Sequence, residues 1–141
     1  EARHAYSCDT HIGDLVLRGA ARVAPDASGE SIADAGRAIL GSETFRLGHA
    51  PGRDVLLVLR TAPEIEATAW RASGVTRHAL AFGTSRLSLR VGGRVAASAE
   101  VQPREGWDEI VLVVPSAVLT GSETELHVTG RYASFRYWAY Q

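Results

Sequence analysis

From Arg53 onward the apolar residues of this chain recur at every second position, or in runs too short for a helix, with Gly, Pro and Ser between them. A period of two places alternate side chains on opposite faces of an extended backbone, so the chain is constrained to build sheets. Arg86 to Val91 alternates strictly, with Leu87, Leu89 and Val91 on one face and Arg86, Ser88 and Arg90 on the other. Gly92-Gly93 follows, and two glycines supply the positive φ angles of a primed hairpin turn. Arg94 to Glu100 returns as the second strand, with Val95, Ala97 and Ala99 expected to face inward.

The run Arg53-Asp54-Val55-Leu56-Leu57-Val58-Leu59-Arg60 is apolar at consecutive positions between charged ends, which predicts a central strand covered on both faces or crossing the core. Glu109 to Val114 is a further strand, ended by Pro115, whose missing N–H cannot continue a ladder. Pro115 to Gly121 reads as one turn of helix or 3₁₀ structure, with Pro at its start and Gly beyond its end. Thr124 to Thr129 puts Leu126 and Val128 on one face and Glu125, His127 and Thr129 on the other. Ser134 to Tyr140 likewise separates Phe135, Tyr137 and Ala139 from Arg136, Trp138 and Tyr140.

In the first fifty residues, Ile12 to Leu17 reads as a strand and Ala24 to Gly29 as a turn. Ser31 to Leu40 spaces Ile32, Ala35 and Ile39 near the helical period, with Ser31 and Asp34 in capping-box positions, and predicts one short helix weakened by Gly36. Thr44 to Gly48 and Ile65 to Trp70 complete the strands. There is no repeat and no linker in the 141 residues. The expectation is a single all-β domain spanning residues 1–141, a two-sheet antiparallel β-sandwich of roughly nine or ten strands.

Charge narrows the partners. Fifteen basic residues against 16 acidic ones, with a pI near 6.6, leave no electrostatic footprint for nucleic acid or an anionic membrane. No apolar run approaches the ~20 residues that span a bilayer, and no basic segment precedes an apolar one at the N-terminus, so neither anchor nor leader is expected. All the cations are Arg, while Lys, Met and Asn are absent, the bias of a GC-rich bacterial coding sequence. Without Met, Glu1 reads as an internal position of a larger protein, whose other domains are candidate partners. Cys8, alone, can form neither an internal disulfide nor a CxxC site and reads as a plain thiol.

Catalytic signatures are sparse. The sequence has no Gly-x-Ser-x-Gly elbow and no Gly-rich phosphate loop. His4, His11, His49, His78 and His127 show no HxH or HExxH spacing, so a metal site would need convergence of separate strands. Glu64 with Glu66, Glu105 with Asp108 and Glu109, and Glu123 with Glu125 could act as paired carboxylates, although each lies at a strand end or turn, where charge is ordinarily solvated. The tryptophans say more: Trp70 precedes Arg71, Trp107 precedes Asp108, and Trp138 lies near Arg136. A ring flanked by charges can stack on the apolar face of a pyranose while the charges bond its hydroxyls. Trp70 and Trp107 would be the platforms, with Arg71, Asp108 and Arg136 orienting hydroxyls and Trp138 as a further contact. On a purely structural reading, Trp107 staples the start of its strand and Trp138 fills the core.

The stretch Trp107-Asp108-Glu109-Ile110-Val111-Leu112-Val113-Val114-Pro115, then Val118-Leu119, Leu126-His127-Val128 and Tyr132-Ala133-Ser134-Phe135-Arg136-Tyr137-Trp138 resembles the closing strands of galactose-binding-like jelly rolls, the sandwich of many carbohydrate-binding modules. More loosely, it is similar to the extracytoplasmic sandwich domains of some bacterial envelope glycosyltransferases. The resemblance covers about residues 44–141 and rests on strand order and texture. It implies a jelly-roll accessory module without catalysis or organic cofactor, binding a glycan or polysaccharide in a periplasmic or extracellular setting. A structural calcium ion accompanies some members, for which Asp26, Glu30 and Asp34 are the nearest candidates here, without forming a clear calcium loop. Two other expectations stand beside it: an assembly domain docking through the aromatic terminal strand, with Trp138 and Tyr140 exposed, and a small sugar-active enzyme, which would need two carboxylates converging on one cleft.

Overall fold

A computed structural model describes residues 7–8, 17–19, 34–61, 64–71, 74–81, 83–102 and 108–141, with the side chains of residues 7, 37–61, 83–102 and 108–141. The described residues form thirteen strands: β1 (Ser7–Cys8), β2 (Leu17–Gly19), β3 (Asp34–Ile39), β4 (Ser42–Gly48), β5 (Val55–Thr61), β6 (Glu64–Arg71), β7 (Gly74–Ala81), β8 (Ser85–Val91), β9 (Arg94–Val101), β10 (Asp108–Val114), β11 (Glu123–Thr129), β12 (Tyr132–Ser134) and β13 (Arg136–Tyr140). One 3₁₀ turn, Ser116–Val118, lies between β10 and β11. Every pairing is antiparallel. The fold is an all-β sandwich, compatible with a jelly roll.

Two sheets carry the core: a long one in the order β1-β4-β11-β8-β9 and a short one in the order β10-β5-β13. Alternation explains why they pack. Phe45, Leu87, Leu89, Leu126 and Val128 from the long sheet meet Val55, Leu57, Leu59, Ile110 and Leu112 from the short one in a single buried cluster. Burying such side chains supplies the main driving force, about 1.5–3 kcal/mol for each large one. Inside this core Glu43, fully buried on β4, accepts hydrogen bonds from the hydroxyls of Tyr132 (2.6 Å) and Tyr137 (2.5 Å) through Oε1. The terminal run changes partner midway: Tyr132 pairs with Ile39, the Phe135 N–H donates to the Arg60 carbonyl, and Arg136 then pairs with Arg60. β12 thereby ties the sheet β12-β3-β2 to the sandwich; β6 and β7 form a separate hairpin.

The hairpin at Gly92-Gly93 forms as expected, with φ angles of 54° and 79°. β10 ends before Pro115 and the 3₁₀ turn follows it. Three expectations are corrected. The helix over Ser31 to Leu40 is absent where the chain is described: residues 34–39 are β3, whose ladders to β2 and β12 satisfy its backbone groups between two strands. Six residues with a central Gly lose little helical preference, so tertiary pairing prevails. Val95 does not face inward, because a register shift between Leu89 and Arg90 lets Ala97 pair with Leu89 while Val95 pairs with outward-facing Arg90. One extra residue in a strand reverses the faces beyond it. β5 is central in its sheet but covered on one face only: Val55, Leu57 and Leu59 are buried, whereas Leu56 is exposed.

Candidate functional site

On the outer face of the long sheet, the register aligns Thr44 of β4, His127 of β11 and Arg90 of β8 in one row across three strands. Glu125 and Glu123 continue that face along β11, at positions of the same parity as His127. The β8–β9 turn at Gly92-Gly93 stands at one side and the loop carrying Ala117, Val118 and Thr120 at the other, enclosing an open groove of about 600 Å³. That volume falls within the range of small-ligand sites, about 300–1,000 Å³.

The walls are braced from outside the groove. Asp54, beside β5, accepts a hydrogen bond from the Ser116 N–H at 2.7 Å and so fixes the 3₁₀ turn; that bond holds its carboxyl below the ordinary carboxylate range. His49 anchors the following loop from behind, donating its backbone N–H to Ser122 (2.9 Å) and bonding Thr124 Oγ1 through Nε2 at 2.8 Å. Thr124 Oγ1 also reaches the Thr120 carbonyl at 3.4 Å, which leaves it to accept from His49. Arg90 donates from Nη1 to the Gly93 carbonyl at 2.9 Å, holding its guanidinium against the hairpin turn. Arg46 approaches Glu123 at 3.8 Å.

The groove offers hydroxyl, imidazole, carboxylate and guanidinium groups, and its arginines, Arg90 and Arg94, balance its glutamates, Glu123 and Glu125. Balanced charge favours a neutral ligand over an ion, and mixed donors and acceptors suit groups that both give and take hydrogen bonds. Glu123 and Glu125 do converge here, but both are exposed, in water rather than in the dry enclosure that acid catalysis uses.

The anticipated residues fall elsewhere. Arg136 and Trp138 share the outer face of the short sheet, where Arg60 joins them: the Arg60 and Arg136 guanidinium carbons lie 4.8 and 5.8 Å from the Trp138 ring centroid. Arg60 also donates to Glu109 Oε1 at 2.8 Å. These cation–π contacts already occupy the ring, so a sugar stacking on Trp138 would have to displace a guanidinium. Asp108 has the inward parity of Ile110 on β10 and is not brought together with Trp138. Trp70 and Arg71 belong to β6, and Asp34 to β3, but their side chains lie outside the described residues. Trp107, Asp26 and Glu30 lie outside the described residues altogether, as do Glu105 and the turn over Ala24 to Gly29.

Among the described residues no three His, Cys, Asp or Glu groups gather as a metal site, and no helix is long and apolar enough to cross a membrane. Sequence reading missed Thr44, Arg90 and Arg94 as groove residues, and Arg60 as the neighbour of Trp138. Periodicity marks Arg90 as outward, but only inter-strand register makes it a neighbour of His127. No family model matches the chain, and no curated protein matches it either.

Proposed function

We propose that this chain is a non-catalytic recognition module that binds a neutral, hydroxyl-rich ligand, a glycan or polysaccharide, in the groove on the long sheet. The observation that carries the reading is the charge-balanced set of Arg90, Arg94, Glu123, Glu125 and His127 in one groove of about 600 Å³. Sugar hydroxyls donate and accept at once, so carboxylates can accept hydrogen bonds from them while guanidinium N–H groups donate to their oxygens. Ala117 and Val118 offer an apolar wall for the C–H face of the ring. The galactose-binding-like identity belongs to this proposal, supported by the sandwich architecture and the strand texture of residues 107–138. An extracytoplasmic setting follows from the same resemblance and stands with it, whereas a structural calcium ion accompanies only some members and is no part of the proposal.

Calorimetric titration with galactose, glucose, N-acetylglucosamine and their linear oligomers, with and without added calcium, tests the site. Saturable binding is expected, weakened about tenfold or more in Glu125→Ala through loss of a charge-assisted hydrogen bond. Trp138→Ala should leave it unchanged. Absence of binding across the series would overturn the proposal, as would binding lost in Trp138→Ala and kept in Glu125→Ala.

A further inference from the structure

The opposite side of the sandwich has a different character. Alternation and register resolve the outer face of the short sheet into three rows running across β10, β5 and β13. They are Val113–Leu56–Tyr140, Val111–Val58–Trp138 and Glu109–Arg60–Arg136. Leu56, Val111, Val113 and Tyr140 leave between 44% and 55% of their surface in water. Apolar side chains grouped beside a charged row have the make-up of an interface core with a polar rim.

The columns identify the occupant. β10 presents Glu109 and two small side chains, Val111 and Val113, whereas β13 presents Arg136 and two large ones, Trp138 and Tyr140. A two-fold axis parallel to the strands, running above β5, lays β10 of one copy over β13 of the other and keeps the rows in step. Val113 then meets Tyr140, Val111 meets Trp138 beside the Arg60 and Arg136 guanidiniums that already lie over that ring, and Glu109 meets Arg136, so small packs on large and negative on positive. A two-fold axis lying across the strands would instead put Trp138 on Trp138 and the charged row on the apolar one. Such self-complementarity of one patch is what an isologous dimer requires. Arg60 would meet its own copy on the axis, and its ion pair with Glu109 offsets that repulsion.

We infer that this face docks a second copy of the same chain, sheet on sheet, about a two-fold axis parallel to β5. Three strands about 4.8 Å apart and five residues at about 3.3 Å each span on the order of 250 Å². A standard interface buries about 800 Å² per partner, so the dimer is a weak, reversible one. It leaves the groove of the long sheet free and does not depend on what that groove binds.

Sedimentation equilibrium of the chain between about 10 µM and 1 mM tests this. The weight-average mass should rise from 15.1 kDa towards twice that value. Glu109→Arg alone and Arg136→Glu alone should each weaken association about tenfold, and the two together should restore it. Val111→Lys should abolish association, whereas Val95→Lys, an exposed apolar position on the long sheet, should not affect it. A mass of one chain at every concentration would overturn the inference. Association that ignores the single reversals, or that the double reversal fails to restore, would overturn it too.

Discussion

Within the core one carboxylate organises three strands. Glu43 on β4 accepts hydrogen bonds from the hydroxyls of Tyr132 on β12 and Tyr137 on β13, and the Tyr137 ring packs on Phe45 with centroids 4.8 Å apart. Burial above all, then the charges of Tyr137 and Glu43, raises the Tyr132 phenol well above its ordinary value near 10. The folded chain therefore holds that proton after the unfolded chain would release it. Stability from this group is fully present below about pH 10 and falls above it, by up to about 1.4 kcal/mol per pH unit. Tyr132→Phe should cost about 1–3 kcal/mol at neutral pH and flatten the alkaline slope, read from urea midpoints measured across the alkaline range. Nothing of this trio was legible in the sequence, because its members meet through strand order rather than spacing. The same holds for Arg60 over Trp138: alternation puts Trp138 outward with Arg136, but the guanidinium nearest the ring comes from β5.

The strands between Arg86 and Thr129 were legible because one face of each is dry and the other wet, so hydrophobic period and structure coincide. Legibility failed where a single element answers to two patterns. Residues 34–39 satisfy a loose helical spacing, yet they lie between β2 and β12. In β9 the bulge at Ala96 moves Val95 to the outer face, and a bulge leaves no mark on composition. Turns are the other decisive elements. Gly130, between β11 and β12, has φ 152° and donates its N–H to the Gly41 carbonyl at 2.9 Å. A Cβ there would lie 2.7 Å from Leu87 Cδ2 and 3.0 Å from the Arg86 carbonyl oxygen. Gly130→Ala should therefore cost about 2–3 kcal/mol, from backbone strain plus overpacking. Gly121→Ala, with φ 71° and open space around it, should cost about 1 kcal/mol. Thermal unfolding of both variants, run in parallel, separates the two effects.

At the scale of the whole molecule, the two outer faces differ in character. The long sheet carries a polar groove and the short sheet an apolar, self-complementary face, so a dimer built on the latter points two grooves away from each other. On the proposed function, two grooves on one such dimer would convert weak contacts with a repeating polymer into stronger overall binding, because the second contact forms at high effective concentration. Mass action also links assembly to stability: the thermal midpoint should rise with concentration in the native chain and stay constant in Val111→Lys, as differential scanning calorimetry would show. The strand order of the core has a consequence in time as well. Phe45 of β4 pairs with Leu126, and Leu59 of β5 with Tyr137, so the two inner strands laid down first find these partners only near the end of the chain. At about 5–20 residues per second, a ribosome making this chain leaves β4 waiting on the order of 4–16 s for β11. During that interval the apolar edges meant for the sandwich are open to any neighbour, and the last strand to emerge, β13, is the one that closes the short sheet.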